Sequence, residues 1–166
     1  HFNSILNMFK DSSLNKTLLN LVEISALPLR QFEESGSVDS TGFNINIYSR
    51  WFDVRTKEDS KKKDWLKLNI ISGNRTNIVI SLLVSEGTAG DSPALIPLVE
   101  SAGRNFQLKE VCADKAYLSR NNLNAIAGIG ATPYIPFKSN TTENSRGCRL
   151  WKTMYQFFHD NKEDFD

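Results

Sequence analysis

Two aspartates offer the chemistry this sequence can do. Asp39 stands in the run Ser37-Val-Asp-Ser-Thr-Gly-Phe43 and Asp114 in Val111-Cys-Ala-Asp-Lys-Ala-Tyr117, each after a stretch that reads as a buried strand. A carboxylate set beside a β-core needs a partner, because burying it alone costs several kcal/mol or neutralises it. A divalent cation shared by the two acids would be such a partner. Taken singly, either aspartate also reads as the start of a turn, since Asp before Ser-Thr-Gly readily bonds its own backbone.

Other chemistries find less support. The only cysteines are Cys112 and Cys148 and the only histidines His1 and His159, which match neither a disulfide framework nor zinc-ligand spacing. The chain has 20 basic and 19 acidic residues, a formal charge of +1, so it lacks the uniform positive field of a protein that coats nucleic acid. No apolar run is long enough to span a bilayer, and the start, His1-Phe-Asn-Ser4, lacks the features of a secretory signal. The triplets beginning at Asn15, Asn74 and Asn140 fit the glycosylation pattern, but an Asn-rich chain yields them by chance. A soluble protein of a reducing cytoplasm is expected, and the initial His points to a piece of a longer polypeptide.

The elements that must position the acids follow from periodicity. With 166 residues and 40% hydrophobic content, one α/β domain with a real core is expected. Leu14, Leu18, Leu21 and Val22 fall on one face of a helix that starts after Asp11-Ser-Ser13 and stops at Pro28, predicting a core-facing helical segment within residues 1–30. A strand leads to Asp39, and Ser40-Thr-Gly42 reads as the turn after it. From Asp64, Leu66, Leu68 and Ile70 alternate with Lys67 and Asn69 as in a half-buried strand. Gly73-Asn-Arg-Thr76 supplies a turn, and the apolar run Ile78 to Val84 returns antiparallel as a central strand. Ser92 reads as the N-cap of a helix with Leu95, Leu98, Val99 and Ala102 on its apolar stripe, Pro97 as a possible bend, and Gly103 as its close. Phe106 to Ala113 predicts a strand ending at Asp114. Ser119 caps a helix with Leu123, Ile126 and Ala127 on one face, closed by Gly130, and Thr132 to Phe137 forms a last short strand. Trp151, Met154, Tyr155 and Phe158 follow helical spacing as core residues.

This order, an antiparallel hairpin followed by strands alternating with helices, predicts an α/β fold: a mixed sheet with helices on its faces, the ribonuclease H-like layout. Ligands collect at the carboxyl ends of parallel strands in such sheets, where Asp39 and Asp114 would meet. The runs Ile24-Ser-Ala-Leu-Pro-Leu29, Val38-Asp-Ser-Thr-Gly-Phe43, Arg50-Trp-Phe-Asp53, Asp64-Trp-Leu-Lys-Leu68, Asp91-Ser-Pro93, Ala113-Asp-Lys-Ala-Tyr-Leu118 and Gly130-Ala-Thr-Pro-Tyr-Ile-Pro-Phe-Lys138 resemble, in order and over nearly the whole chain, the DDE transposases of prokaryotic insertion sequences. The stretch from Arg55 to Lys63 is more charged than its counterpart in similar proteins, and Asn69 stands where a His is expected.

The resemblance implies a metal-dependent polynucleotidyl transferase and endonuclease, with residues 31–166 as its catalytic domain, incomplete at the C-terminus, so that this fragment alone is expected to be inactive without the missing Glu. Its first two acids fall on Asp39 and Asp114, which would hold two Mg2+ ions, or Mn2+ as substitute, with Asp39 bridging both. The third acid, a Glu, lies in similar proteins beyond the segment matching Trp151 to Asp166, and neither Glu143 nor Glu163 sits in its motif. Water and then a freed 3′ hydroxyl would attack phosphodiesters of double-stranded DNA at element ends and target. A homodimer and a prokaryotic, nucleoid-associated location go with that role. Candidate phosphate contacts are Lys115, Lys138 and Arg50, with Arg146 and Arg149 behind them; each singly is equally a solvated surface charge. Lys61-Lys-Lys63 reads as a solvated loop, Trp51 and Phe52 as packing aromatics, and Asp91 as a helix-start residue. Two other classes stay open: a transposase remnant that keeps the fold and weak DNA binding, and a different nuclease-like hydrolase on the same sheet.

Overall fold

The computed structural model describes residues 7–8, 11–44 and 65–165. Arg50, Trp51, Phe52 and Lys61 to Lys63 lie outside the described residues. Five strands form one sheet in the order β3-β2-β1-β4-β5: β1 (Ser35–Asn44), β2 (Trp65–Gly73), β3 (Val79–Glu86), β4 (Glu110–Ala113) and β5 (Thr132–Tyr134). The pairs β1–β2 and β2–β3 are antiparallel, whereas β1–β4 and β4–β5 are parallel. Helices α1 (Ser12–Ala26), α2 (Asp91–Asn105), α3 (Arg120–Gly128) and α4 (Arg149–Asp160) complete the described architecture, the mixed sheet expected of a ribonuclease H-like fold. No described helix is long and apolar enough to cross a membrane.

The sheet core is built where β-branched residues fall in phase across the ladder. Val38 pairs with Ile71, and both are buried with Ile80 and Val111 beneath Leu95, Leu98 and Val99 of α2. This phase corrects the reading of β2. Leu66, Leu68 and Ile70 do share a face, but Leu66 is exposed and the other two half-buried, while Asn69 and Ile71 on the opposite face are fully buried. The face that meets α2 is chosen by the register with Val38, and Asn69 is carried inside with it. Its amide compensates by donating to Ser85 Oγ at 3.1 Å.

Five further expectations shift. The Ser40-Thr-Gly42 segment is no turn: β1 runs on to Asn44, each residue paired with β2, so ladder hydrogen bonds displace the local turn chemistry of Asp-Ser-Thr-Gly. Helix α1 is capped by Asp11, which accepts from the Ser13 amide at 2.9 Å. Its apolar stripe does not face the core, however: Leu18, Leu21 and Val22 are exposed and Ala26 alone is buried, although the helix lies against β3. Helix α2 is capped by Gly90 rather than Ser92, whose hydroxyl instead accepts from the Asn122 amide, and it runs unbroken through Pro97 and Gly103 to Asn105. In α3, Ser119 caps as expected, but Asn122 joins Leu123 and Ile126 inside while Ala127 is exposed, and the helix ends at Gly128. The short regular strands β4 and β5 occupy only part of the runs assigned to them, though Phe106, Leu108, Ile135 and Phe137 are buried as strand-like readings require.

Gly103 is where α2 meets the end of α3. A Cβ there would sit 2.5 Å from Ile129 Cγ2 and 3.0 Å from its Cβ. Gly103→Ala gains about 1 kcal/mol of helix propensity but overpacks this contact by about 1–3 kcal/mol. The expected net result is a loss of about 1 kcal/mol in urea unfolding, the reverse of what a mid-helix glycine with open space at its Cβ position would give.

Candidate active site

Register brings the two acids together. In the parallel β1–β4 pair, Ser37 faces Cys112 and Val38 faces Ala113, so Asp39 and Asp114 each come one residue beyond the last pair of the ladder, and with Ser37 and Cys112 they line one cavity. Asp114 ends β4, and the chain turns from it into a 3-10 turn over Lys115–Tyr117, with the Tyr117 amide donating to the Asp114 carbonyl at 2.9 Å. Asp39 lies inside β1 rather than after it, and its Oδ1 accepts from the Ser40 amide at 2.7 Å. Both side chains are exposed. What pairs them is the sheet register, not a shared buried pocket.

Together they line a cavity of about 650 Å³ whose other walls include Cys112, Tyr134, Pro136, Phe157 and Phe165. Aromatic contacts set that wall: the Tyr134 ring lies 5.7 Å from Phe157 and 6.2 Å from Phe165, edge-on or tilted. Burial, with Glu110 nearby, pushes the Cys112 thiol up in pKa, so it stays protonated and adds no anionic sulfur to the site.

A third acid stands behind the pair but is already committed. Asp91, the first residue of α2, is 2.5 Å from the Lys67 ammonium and accepts from Ser40 Oγ at 2.8 Å. The hydrogen bond from Lys67 holds its carboxyl below the usual range against the opposing effect of burial. The helix-start reading of Asp91 therefore holds, with an ion pair that sequence spacing did not show. No cluster of three or more metal-ligating side chains occurs among the described residues. Glu143 and Glu163 are exposed and line neither cavity at the acids.

The hard oxygen donors of Asp39 and Asp114 suit magnesium, which keeps several waters and needs only one or two carboxylates beside a substrate phosphate. A second cavity of about 400 Å³ adjoins Asp114 and is lined by Lys115, Lys138, His159 and Lys162. The structure thus sets Lys115 and Lys138 around one hollow with an acid of the pair. Lys162 and His159 join them unforeseen, because only the fold shows that the end of α4 returns to this edge. Arg146 and Arg149 are exposed and line neither cavity, and Arg50 lies outside the described residues. Trp151 and Met154 are buried as expected; Arg120 lies 4.2 Å over the Trp151 ring, whose indole N–H donates to the Thr142 carbonyl.

Sequence reasoning also passed over Tyr117. Its side chain is buried, its hydroxyl makes no hydrogen bond, and Ser40 is near enough to bear on its acidity without meeting hydrogen-bond geometry. Burial pushes the phenol up in pKa, and the charges of Asp91, Asp39 and Asp114 push the same way, so it is neutral at any physiological pH.

Comparison with known proteins adds the following. No curated protein sequence matches the chain. Among solved structures, it is similar to one described as the simian T-cell lymphotropic virus intasome in complex with PP2A regulatory subunit B56 gamma, at 16% identity and a TM-score of 0.42 over 78% of this chain and 43% of that one. It is also similar to the piggyBac transposase synaptic complex with hairpin DNA, at 13% identity and a TM-score of 0.41 over 80% of this chain and 31% of that one. The chain spans less than half the length of either, and overlap at this level carries no functional weight. A family model, by contrast, matches residues 30–164, which include both aspartates and all five strands. The chain belongs to the transposase DDE domain family.

Proposed function

We propose that this chain supplies the first two acids of a DNA transposition enzyme, with Asp39 and Asp114 as the metal-holding carboxylates and the lysine-lined hollow beside Asp114 as a seat for the DNA backbone. The family assignment implies DNA transposition and use of a divalent metal. The observation that carries the finer reading is the adjacency of Asp39 and Asp114 at the end of the parallel β1–β4 pair.

Asp39 and Asp114 would hold divalent cations, magnesium or manganese, which when bound would supply charge stabilisation for the attacking and leaving oxygens of a phosphodiester. The chain's own residues do the rest. Asp39, whose Oδ1 is fixed by the Ser40 amide, and Asp114, fixed at the mouth of the 3-10 turn, present carboxylate oxygens to the same solvent-open space. Lys115 and Lys138 attract phosphates towards it, an effect that weakens with salt. Asp91 takes no part as a ligand because Lys67 and Ser40 hold it. Water attack would free a 3′ hydroxyl at the element end, and that hydroxyl would then attack target DNA. The third carboxylate of the family's set is not among these residues, a homodimer would bring two sites to one pair of ends, and the setting would be a prokaryotic cytoplasm at the nucleoid.

The test is incubation of the chain, extended through the segment that carries the third carboxylate, with labelled element-end DNA in manganese. Retained DNA binding with cleavage and joining of ends to a target supports transposition; cleavage without joining marks a hydrolase, and binding without cleavage marks a remnant. Lys115→Ala with Lys138→Ala should weaken binding uniformly across sequences and reduce the salt slope by about 2. An unchanged slope would remove the lysine hollow from the DNA path.

A further inference from the structure

The Tyr117 hydroxyl is one of two buried side-chain polar atoms among the described residues without a hydrogen bond, the other being Asn69 Oδ1. An unpaired hydroxyl destabilises the fold that buries it, and a phenylalanine would fill the same space without that cost. A group retained at a stability cost beside a site suggests a use in that site.

The surroundings of Tyr117 specify the use. The backbone of Tyr117 is anchored from both sides: its amide is tied to the Asp114 carbonyl, and its carbonyl accepts from the Asn122 side-chain amide at 2.7 Å. At 2% exposure the hydroxyl cannot reach DNA. It lies near Ser40, the residue whose amide holds Asp39 Oδ1 and whose hydroxyl donates to Asp91, itself paired with Lys67. Because the Ser40 proton is given to Asp91, the Ser40 oxygen is left as an acceptor, and a tyrosine hydroxyl is a matching donor.

We propose that Tyr117 is a positioning residue: its hydroxyl donates to Ser40 Oγ in the cation-bound state and so fixes the Asp39 carboxylate for binding. This rests on the reading of Asp39 and Asp114 as the metal-holding pair. Groups that orient a metal ligand from behind typically change metal affinity by about 10–100-fold when lost. Tyr117 would do so through Ser40, whose amide holds Asp39 Oδ1.

Manganese binding to the 166-residue chain, followed by water-proton relaxation, and melting in chelator decide the matter together. Tyr117→Phe should melt no lower than wild type without metal, yet bind Mn2+ about tenfold more weakly. Ser40→Ala should show a similar loss of affinity, and the double variant no greater one, because both act through one contact. Ser40→Thr, which keeps the hydroxyl, should restore binding. Wild-type manganese affinity in Tyr117→Phe, or a lower melting point in chelator, would overturn the inference and leave Tyr117 a core residue. If Asp39→Asn binds manganese as well as wild type, the carboxylate-pair reading itself falls and takes this one with it; a failure confined to Tyr117→Phe leaves that reading standing.

Discussion

Adding manganese at about ten times its dissociation constant should raise the melting temperature of this chain by about 3–5 °C, and Asp39→Asn or Asp114→Asn should remove that rise. The size follows from mass action. A ligand that binds only the folded state at that excess stabilises it by about 1.4 kcal/mol, and about 1 kcal/mol moves the melting point of a domain of this size by about 2–4 °C. The specificity follows from the geometry, because the two carboxylates lie just beyond the last β1–β4 pair, line one cavity, and are joined there by no other described acid as a free ligand. If one ion is held by both, the double variant should lose no more than either single variant, since effects of residues acting as a unit are not additive. Metal-free melting should be little changed, because both side chains are exposed and make no ion pair among those found. A full rise retained in either single variant would place the cation elsewhere.

The adjacency of the two acids was legible in the sequence to the extent that period-2 patterning and local turn signals fix register. Val38 and Val111 are buried strand residues, each with an acid shortly after it, so parallel pairing of the two runs was enough to bring Asp39 and Asp114 together. The hairpin was legible for the same reason: Gly73-Asn-Arg-Thr76 lies between two apolar runs, and β2 pairs with β3 across it. What could not be read depends on which face of an element meets which neighbour. The stripe of α1 has the spacing of a buried face, yet only packing decides whether anything covers it, and Leu18, Leu21 and Val22 are exposed. Likewise, the phase of β2 is set by Ile71 meeting Val38, not by the greater number of apolar residues on the other face. Asp91 shows the same limit at the site, since the partners that hold it, Lys67 and Ser40, come from two other strands and leave no mark in local spacing. Tyr117 was in plain view three residues after Asp114, but only burial reveals its unpaired hydroxyl.

Glu33→Gln should destabilise the fold by about 2–3 kcal/mol at neutral pH, lowering the melting temperature by about 5–10 °C. Glu33 is 1% exposed and closes the β2–β3 turn: its carboxylate accepts from the amides of Arg75 at 2.9 Å and Thr76 at 2.8 Å and from the Thr76 hydroxyl. Gly73 makes room for it, because a Cβ there would fall 2.3 Å from Glu33 Oε2. A glutamine keeps one acceptor oxygen but turns an NH2 towards one of these donors, leaving a buried donor facing another. The pH dependence follows from the same contacts. Burial alone would raise the Glu33 pKa, but the hydrogen bonds from Thr76 and Arg75, with the Arg75 charge, outweigh it and lower the carboxyl in the folded state. A group whose folded pKa lies below its unfolded value contributes stability that is complete above the unfolded pKa and is lost as pH falls through the folded one. The gap between wild type and Glu33→Gln should therefore be widest above about pH 5 and shrink as pH falls below about 4. Urea unfolding of both proteins at pH 7, 5, 4 and 3 measures it, and comparison of the pair cancels the acid destabilisation common to the other carboxylates. A gap that stayed constant down to pH 3 would mean that Glu33 stabilises the hairpin by shape rather than by charge.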